Sequence, residues 1–98
     1  MKTVHVISKG CIYEGGGVYG VFLREDLANA KFEEMLEYER ESNRHMEEYT
    51  LQQIAEHGSS LSQPGEWLEE KEIIEDDRRE IIFHGSQYLN ITHYECEE

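Results

Sequence analysis

The chain has 98 residues, one proline, and 22 acidic against 9 basic residues, a net charge of −13. That length makes one domain with a modest core, and the aromatic content with so little proline argues against global disorder. The charge argues against direct contact with a nucleic-acid backbone, which needs Lys and Arg to displace counterions, and against anionic membranes; it favours partners with a basic surface.

The charge is uneven. Residues 1–23 carry +1, residues 24–50 carry −5 and residues 51–98 carry −9. The near-neutral opening reads as a β-hairpin. Thr3 to Ser8 alternates, with Val4, Val6 and Ser8 on one face and Thr3, His5 and Ile7 on the other. Val18 to Leu23 is a second β-branched and aromatic run, and Glu14-Gly15-Gly16-Gly17 is the expected connection. These glycines do not make a phosphate loop, because they run into a strand rather than a helix N-terminus.

From Glu25 the period becomes helical. Ala28, Phe32, Met35, Leu36 and Glu39 form one stripe at i, i+3, i+4 spacing, and acids at Glu25 and Asp26 complement the helix dipole. The stripe fades over Glu37–Arg44 and resumes with Met46, Tyr49, Ile54 and Ala55, up to Gly58 as a C-cap. A single helix from Glu25 to His57 would run ~50 Å and outreach a seven-residue strand of ~23 Å. It either projects or breaks near Ser42-Asn43, and one long helix is the favoured reading. A projecting end bearing Met46, Tyr49 and Ile54 is a candidate homodimer contact.

Gly58–Gly65 is a loop. Trp67–Ile74 is ambiguous between strand and helix. Glu75-Asp76-Asp77 reads as a turn, Glu80–His84 as a strand, Gly85-Ser86 as a tight turn, and Tyr88–Glu95 as an alternating strand with Leu89, Ile91 and His93 on one face. The expected fold is α+β: an N-terminal hairpin, a long helix and a C-terminal meander in one mainly antiparallel sheet, the helix on one face, and strand 1 or the last strand central.

Five histidines and two cysteines offer no HxxxH, HxH or CxxC pair. His84, His93 and Cys96 fall on adjacent expected strands, and a metal site there lacks the recognisable spacing of structural zinc. Neither Cys11 nor Cys96 sits in a nucleophile motif, and their pairing is open: they approach one another if the last strand lies beside the first. No catalytic residue, metal or cofactor is expected. The opening has no long apolar stretch or cleavage site of an export signal, and no run reaches the ~18–20 apolar residues of a membrane span, so a cytoplasmic location is expected.

The acidic surface carries the functional expectation. Glu33, Glu34, Glu37 and Glu41 recur on the helix, read as a negative stripe opposite the core, where like charges at i, i+4 oppose helix formation. Glu69, Glu70, Glu72, Glu75, Asp76 and Asp77, with Glu80 beyond, form a second cluster. Carboxylates spaced along a rigid element can occupy the positions of phosphates in a basic groove, making charge-assisted bonds to arginine. The plainer account is a solvated, solubilising face.

The opening MKTVHVISKGCIYEGGGVYGVF, with Tyr13-Glu14-Gly15, Gly20-Val21-Phe22 and a following helix containing Ala28, resembles the start of short uncharacterised proteins of bacteriophages and prophages. The resemblance covers about the first third of the chain and carries over no functional residue. It implies a phage context. In bulk properties such acidic chains resemble inhibitors of host defence, of anti-CRISPR and anti-restriction type, some of them DNA mimics. The expectation is an acidic inhibitor of a host complex with a basic, nucleic-acid-binding groove. The alternatives are a small-molecule or nucleotide-signal binder, its pocket framed by the glycine loop with Tyr13, Tyr19, Trp67 and Tyr88, or an accessory phage protein.

Overall fold

A computed structural model describes residues 2–96. The elements run β1 (Lys2–Cys11), β2 (Gly15–Phe22), α1 (Glu25–His57), β3 (Glu70–Glu75), β4 (Arg78–Phe83) and β5 (Gln87–Cys96), with short 3-10 turns at Glu66–Leu68 and His84–Ser86. The five strands form one antiparallel sheet in the order β2-β1-β5-β4-β3. This is the α+β architecture expected, with β5 central and β1 beside it.

The hairpin differs from expectation in its loop. Gly15, Gly16 and Gly17 belong to β2, opposite Cys11, Gly10 and Lys9, and the connection is Ile12-Tyr13-Glu14. Gly10 and Gly16 lie so close that a Cβ on Gly10 would strike the Gly16 backbone, and one on Gly16 would strike the Tyr88 hydroxyl. The glycines let two strands and an aromatic ring approach, rather than making a floppy turn. Between Ile7 and Ser8 the register shifts by one, leaving Tyr19 as the extra residue of a β-bulge.

Period-2 alternation decides the core. His5 and Ile7 of β1, Ile81 and Phe83 of β4, and Leu89 and Ile91 of β5 are buried under α1. From the helix, Ala28, Phe32 and Leu36 enter this layer, and Met35 and Phe22 pack against it. Among the described residues no helix covers the other sheet face; Val18, Val21 and Tyr94 are 63 %, 60 % and 52 % exposed. The Trp67 region resolves into a 3-10 turn, and strand pairing starts only at Glu70.

One unbroken helix spans Glu25–His57, ended by Gly58 in the left-handed conformation (φ 78°), whose N–H donates to the Ile54 carbonyl. At ~1.5 Å per residue it measures ~50 Å, within a molecule 61 Å long. Its core stripe on the sheet ends at Leu36. Beyond, the chain covers its own helix: the 58–69 segment returns along α1, burying Thr50 and Glu47. Glu47 Oε1 accepts the Gly65 N–H. Among the described residues Glu47 Oε2 and Trp67 Nε1 are buried and find no hydrogen-bond partner. Met46 and Tyr49 line a cavity of about 500 Å³ with Thr50, Gln53, Leu61 and Trp67, so their surroundings are in part their own chain. Ile54 is half-buried.

A buried carboxylate that satisfies a backbone N–H leaves that donor orphaned when removed, at a cost of about 1–3 kcal/mol. Glu47→Ala should therefore lower the melting temperature and shift Trp67 emission to the red as the 58–69 segment loosens; unchanged emission and melting would mean that the Glu47–Gly65 bond does not hold this segment to α1.

Candidate functional site: the acidic flank

Parts of the two acidic clusters, more than 25 residues apart in sequence, meet where α1 runs beside β3 and β4: Glu33 of the helix comes near Glu72 through Arg79, and Glu70 is held to the helix by Arg40, while Glu34 lies on the side of Lys31 and Tyr19. The links are arginines. Arg79 of β4 reaches Glu33 of α1 (2.7 Å) and Glu72 of β3 (3.1 Å), and its guanidinium lies 5.2 Å from the centre of the Phe32 ring. Arg40 of α1 forms a fork with Glu70 of β3, with two contacts of 2.9 Å. Arg44 takes Glu37 at 2.9 Å and also Glu41. Arg78 takes Glu75 at 2.9 Å.

This placement corrects the expected helix stripe. Glu33 and Glu37 stand not opposite the core but on the flank beside it, since Glu33 meets Arg79 on the core-facing side of the sheet. Spacing alone put them on one helix face and could not say where the sheet would lie. The i, i+4 repulsion is also offset: Arg44 sits between Glu37 and Glu41, and its hydrogen bond holds the Glu41 carboxyl below the usual carboxylate range. Arg78, by its hydrogen bond, does the same for Glu75. Glu34 pairs with Lys31 at 3.5 Å.

Three of the ten expected residues differ from the rest. Among the described residues no ion pair engages Glu69, Asp76 or Asp77, and all three are exposed. Asp76 and Asp77 form the turn between β3 and β4, and the Asp77 carbonyl accepts the His93 N–H at 2.7 Å. Glu69 precedes β3 at its other end. The ends of the flank thus carry uncompensated charge, and its middle is tied to arginine.

The other candidate groupings come apart. Cys11 pairs in register with Gln87, and Cys96 with Lys2. The last strand does lie beside the first, but antiparallel pairing puts the thiols at opposite ends of a ten-residue ladder, ~30 Å apart at ~3.3 Å per residue, and both are free. His84 lies edge-on to Trp67 (4.7 Å between ring centres), and His93 bonds His5, Nδ1 to Nδ1, at 2.6 Å; Cys96 joins neither. Among the described residues no set of three or more His, Cys, Asp or Glu is arranged to hold a metal. Tyr13 is 86 % exposed, while Tyr19, Trp67 and Tyr88 line separate cavities. None of these cavities gathers the four residues together. The part-buried His5–His93 pair was hidden in the sequence, its signal being that each falls on the same strand face as a core isoleucine, Ile7 or Ile91.

No helix among the described residues is long and apolar enough to cross a membrane. Comparison with protein-family models, with curated proteins and with solved structures gives no match to this chain.

Exposed ion pairs each contribute about 0–1 kcal/mol, while a net charge of −13 repels itself throughout the compact state. Repulsion should outweigh the pairs. The melting temperature is therefore expected to rise when NaCl is raised from low to moderate ionic strength, and a fall would mean the arginine ties dominate. Arg79→Ala, which strips both Glu33 and Glu72 of their partner, should cost about 1 kcal/mol by chemical denaturation.

Proposed function

We propose that the chain is an acidic binding protein that inhibits a host defence complex, of anti-CRISPR or anti-restriction type, by occupying its basic, nucleic-acid-binding groove. The observation that carries the reading is the union of the helix and β3–β4 acids into one flank through Arg79 and Arg40. A flank so tied is rigid, and carboxylates held in place lose little entropy on meeting arginines. Glu69, Asp76 and Asp77 would lead, because no internal arginine has to release them first. Glu33, Glu37, Glu41, Glu70 and Glu72 would contribute by exchanging partners; Glu75 adds charge from the other face of the sheet, and Glu34 lies across the helix, beside Lys31 and Tyr19. The phage context rests on the resemblance of the opening third, and with it a cytoplasmic site of action in the host.

In this reading the protein performs no catalysis and needs no cofactor; it competes with nucleic acid for protein surface without binding nucleic acid itself. Expression should restore plaque formation or plasmid uptake in cells carrying a CRISPR or restriction system. The triple variant Glu69→Lys, Asp76→Lys, Asp77→Lys should abolish that protection while folding normally. In vitro, capture of the defence complex should be competed by DNA and fall at least tenfold between low and moderate salt, as opposed charges are screened. Full protection by the triple variant would remove this flank from the mechanism.

A second reading is favoured by one observation. The cavity of about 500 Å³ beside Trp67 is within the size range of ligand sites, and its lining contains no charged side chain in a chain so rich in them. A neutral small molecule fits that chemistry better than a phosphorylated one. Stabilisation in a thermal-shift panel of neutral metabolites, lost in Trp67→Ala, would support it.

A further inference from the structure

The sheet has two open edges, and they are built differently. The β3 edge carries Glu70, Lys71, Glu72 and Glu75, and Arg40 and Arg79 fasten two of these to neighbouring elements. Charges of this kind keep an edge from pairing with another chain. The β2 edge has none of them. From Gly15 to Leu23 there is no charged residue and no proline.

Apolar groups stand exposed on both sides of this edge. Val18 and Val21 lie on the face away from α1, since Val21 is opposite Val6 and Val18 opposite Ser8. Tyr19 stands by the helix, where the Lys31 ammonium lies 5.6 Å from its ring. Leu23 and Leu27, at the helix entry, are 72 % and 51 % exposed. Gly17 meets nothing within contact distance on its open side. The bulge at Tyr19 divides the edge into Gly15–Val18 and Gly20–Phe22. An unpaired backbone row flanked by apolar side chains is a strand-pairing surface.

The charge distribution selects the occupant. Residues 1–23 carry +1 and residues 24–98 carry −14. A second copy approaching along any acidic surface meets strong repulsion, whereas β2 presents the near-neutral part of the chain. We infer that β2 is a self-association edge, on which two copies pair antiparallel about a twofold axis to form a ten-stranded sheet. Strands stand ~4.8 Å apart, so the two β3 edges would lie ~43 Å apart at opposite ends of that sheet. This exceeds the ~10 Å screening length at 0.1 M salt several-fold. The twofold pairing is closed and stops at two copies, because each protomer's other edge is the charged one. The assembly presents two acidic flanks pointing away from each other.

Light scattering coupled to size exclusion tests this on the full chain. The expected mass is twice 11.5 kDa, and the dimer should strengthen as NaCl is raised, because the residual repulsion is screened. Partner binding by the acidic flank has the opposite salt dependence, so the two ideas fail independently. Val18→Lys with Val21→Lys should give a monomer with unchanged circular dichroism, and Val21→Lys alone should weaken the dimer. Ile74→Lys, on the exposed β3 edge, should leave the mass unchanged. Hydrogen exchange on the unaltered protein adds a readout free of folding artefacts: amides of residues 15–22 should become more protected as concentration rises. A monomer at all concentrations, a dimer surviving the double variant, or dissociation by Ile74→Lys would each overturn the inference.

Discussion

The ladder between β1 and β5 is the contact on which the rest of the molecule depends. It pairs ten residues of the first strand with ten of the last, from Lys2 opposite Cys96 to Cys11 opposite Gln87. Without it the chain is two unconnected hairpins and a helix. The β1–β2 hairpin has no other strand neighbour, and the β3–β4 hairpin joins the sheet only through β5. Closing a loop of 75 residues, from Cys11 to Gln87, costs only slightly more than closing a short one, because the entropy grows with the logarithm of length. It delays folding all the same, since the cost falls before the non-local contacts form. What repays it is the buried layer that the ladder assembles: Ile7 against Leu89 and Ile91, closed over by Phe32 and Leu36.

The same ladder sets the electrostatics. Once β5 is central, β4 and β3 are carried to the side of the sheet away from the first hairpin, and the acids of β3 arrive beside the flank of α1. Two negative elements cannot pack there unaided. Arg79 and Arg40 stand between them, each holding a carboxylate across the junction, and Arg79 also lays its guanidinium over Phe32. Most of the arginines are therefore committed to internal pairs. The surplus acid is displaced to the ends of the flank and to solvent. The near-neutral hairpin is left at the opposite edge, and this polarity underlies both the partner surface and the self-association edge.

Much of the fold was legible in the residues. Alternation in Thr3–Ser8 and Tyr88–Glu95 divided both strands into two faces without saying which is buried, and the Ala28–Phe32–Leu36 stripe assigned the face of the helix. Gly58 was readable as a helix end because few other residues accept a left-handed backbone. Less legible was the loop of the first hairpin, because three consecutive glycines carry no side-chain pattern and fit strand or turn equally well. Trp67 stayed ambiguous for a different reason: an aromatic next to Leu68 has strand propensity, but it lies in a 3-10 turn that packs on the distal part of α1.

The sequence by itself determined most element types, a single mainly antiparallel sheet, the end of the helical region at Gly58 and the size of the charge, since these follow from local period, capping and composition; that the helix runs unbroken from Glu25 to His57 was decided by the structure. Tertiary structure alone decided which acids meet. The position of Glu33 beside Arg79, the separation of Cys11 from Cys96, the His5–His93 pair and the contrast between the two sheet edges depend on strand order and register. Those are set by which strands share a buried face across the whole chain, and no local pattern encodes a neighbour 40 to 90 residues away.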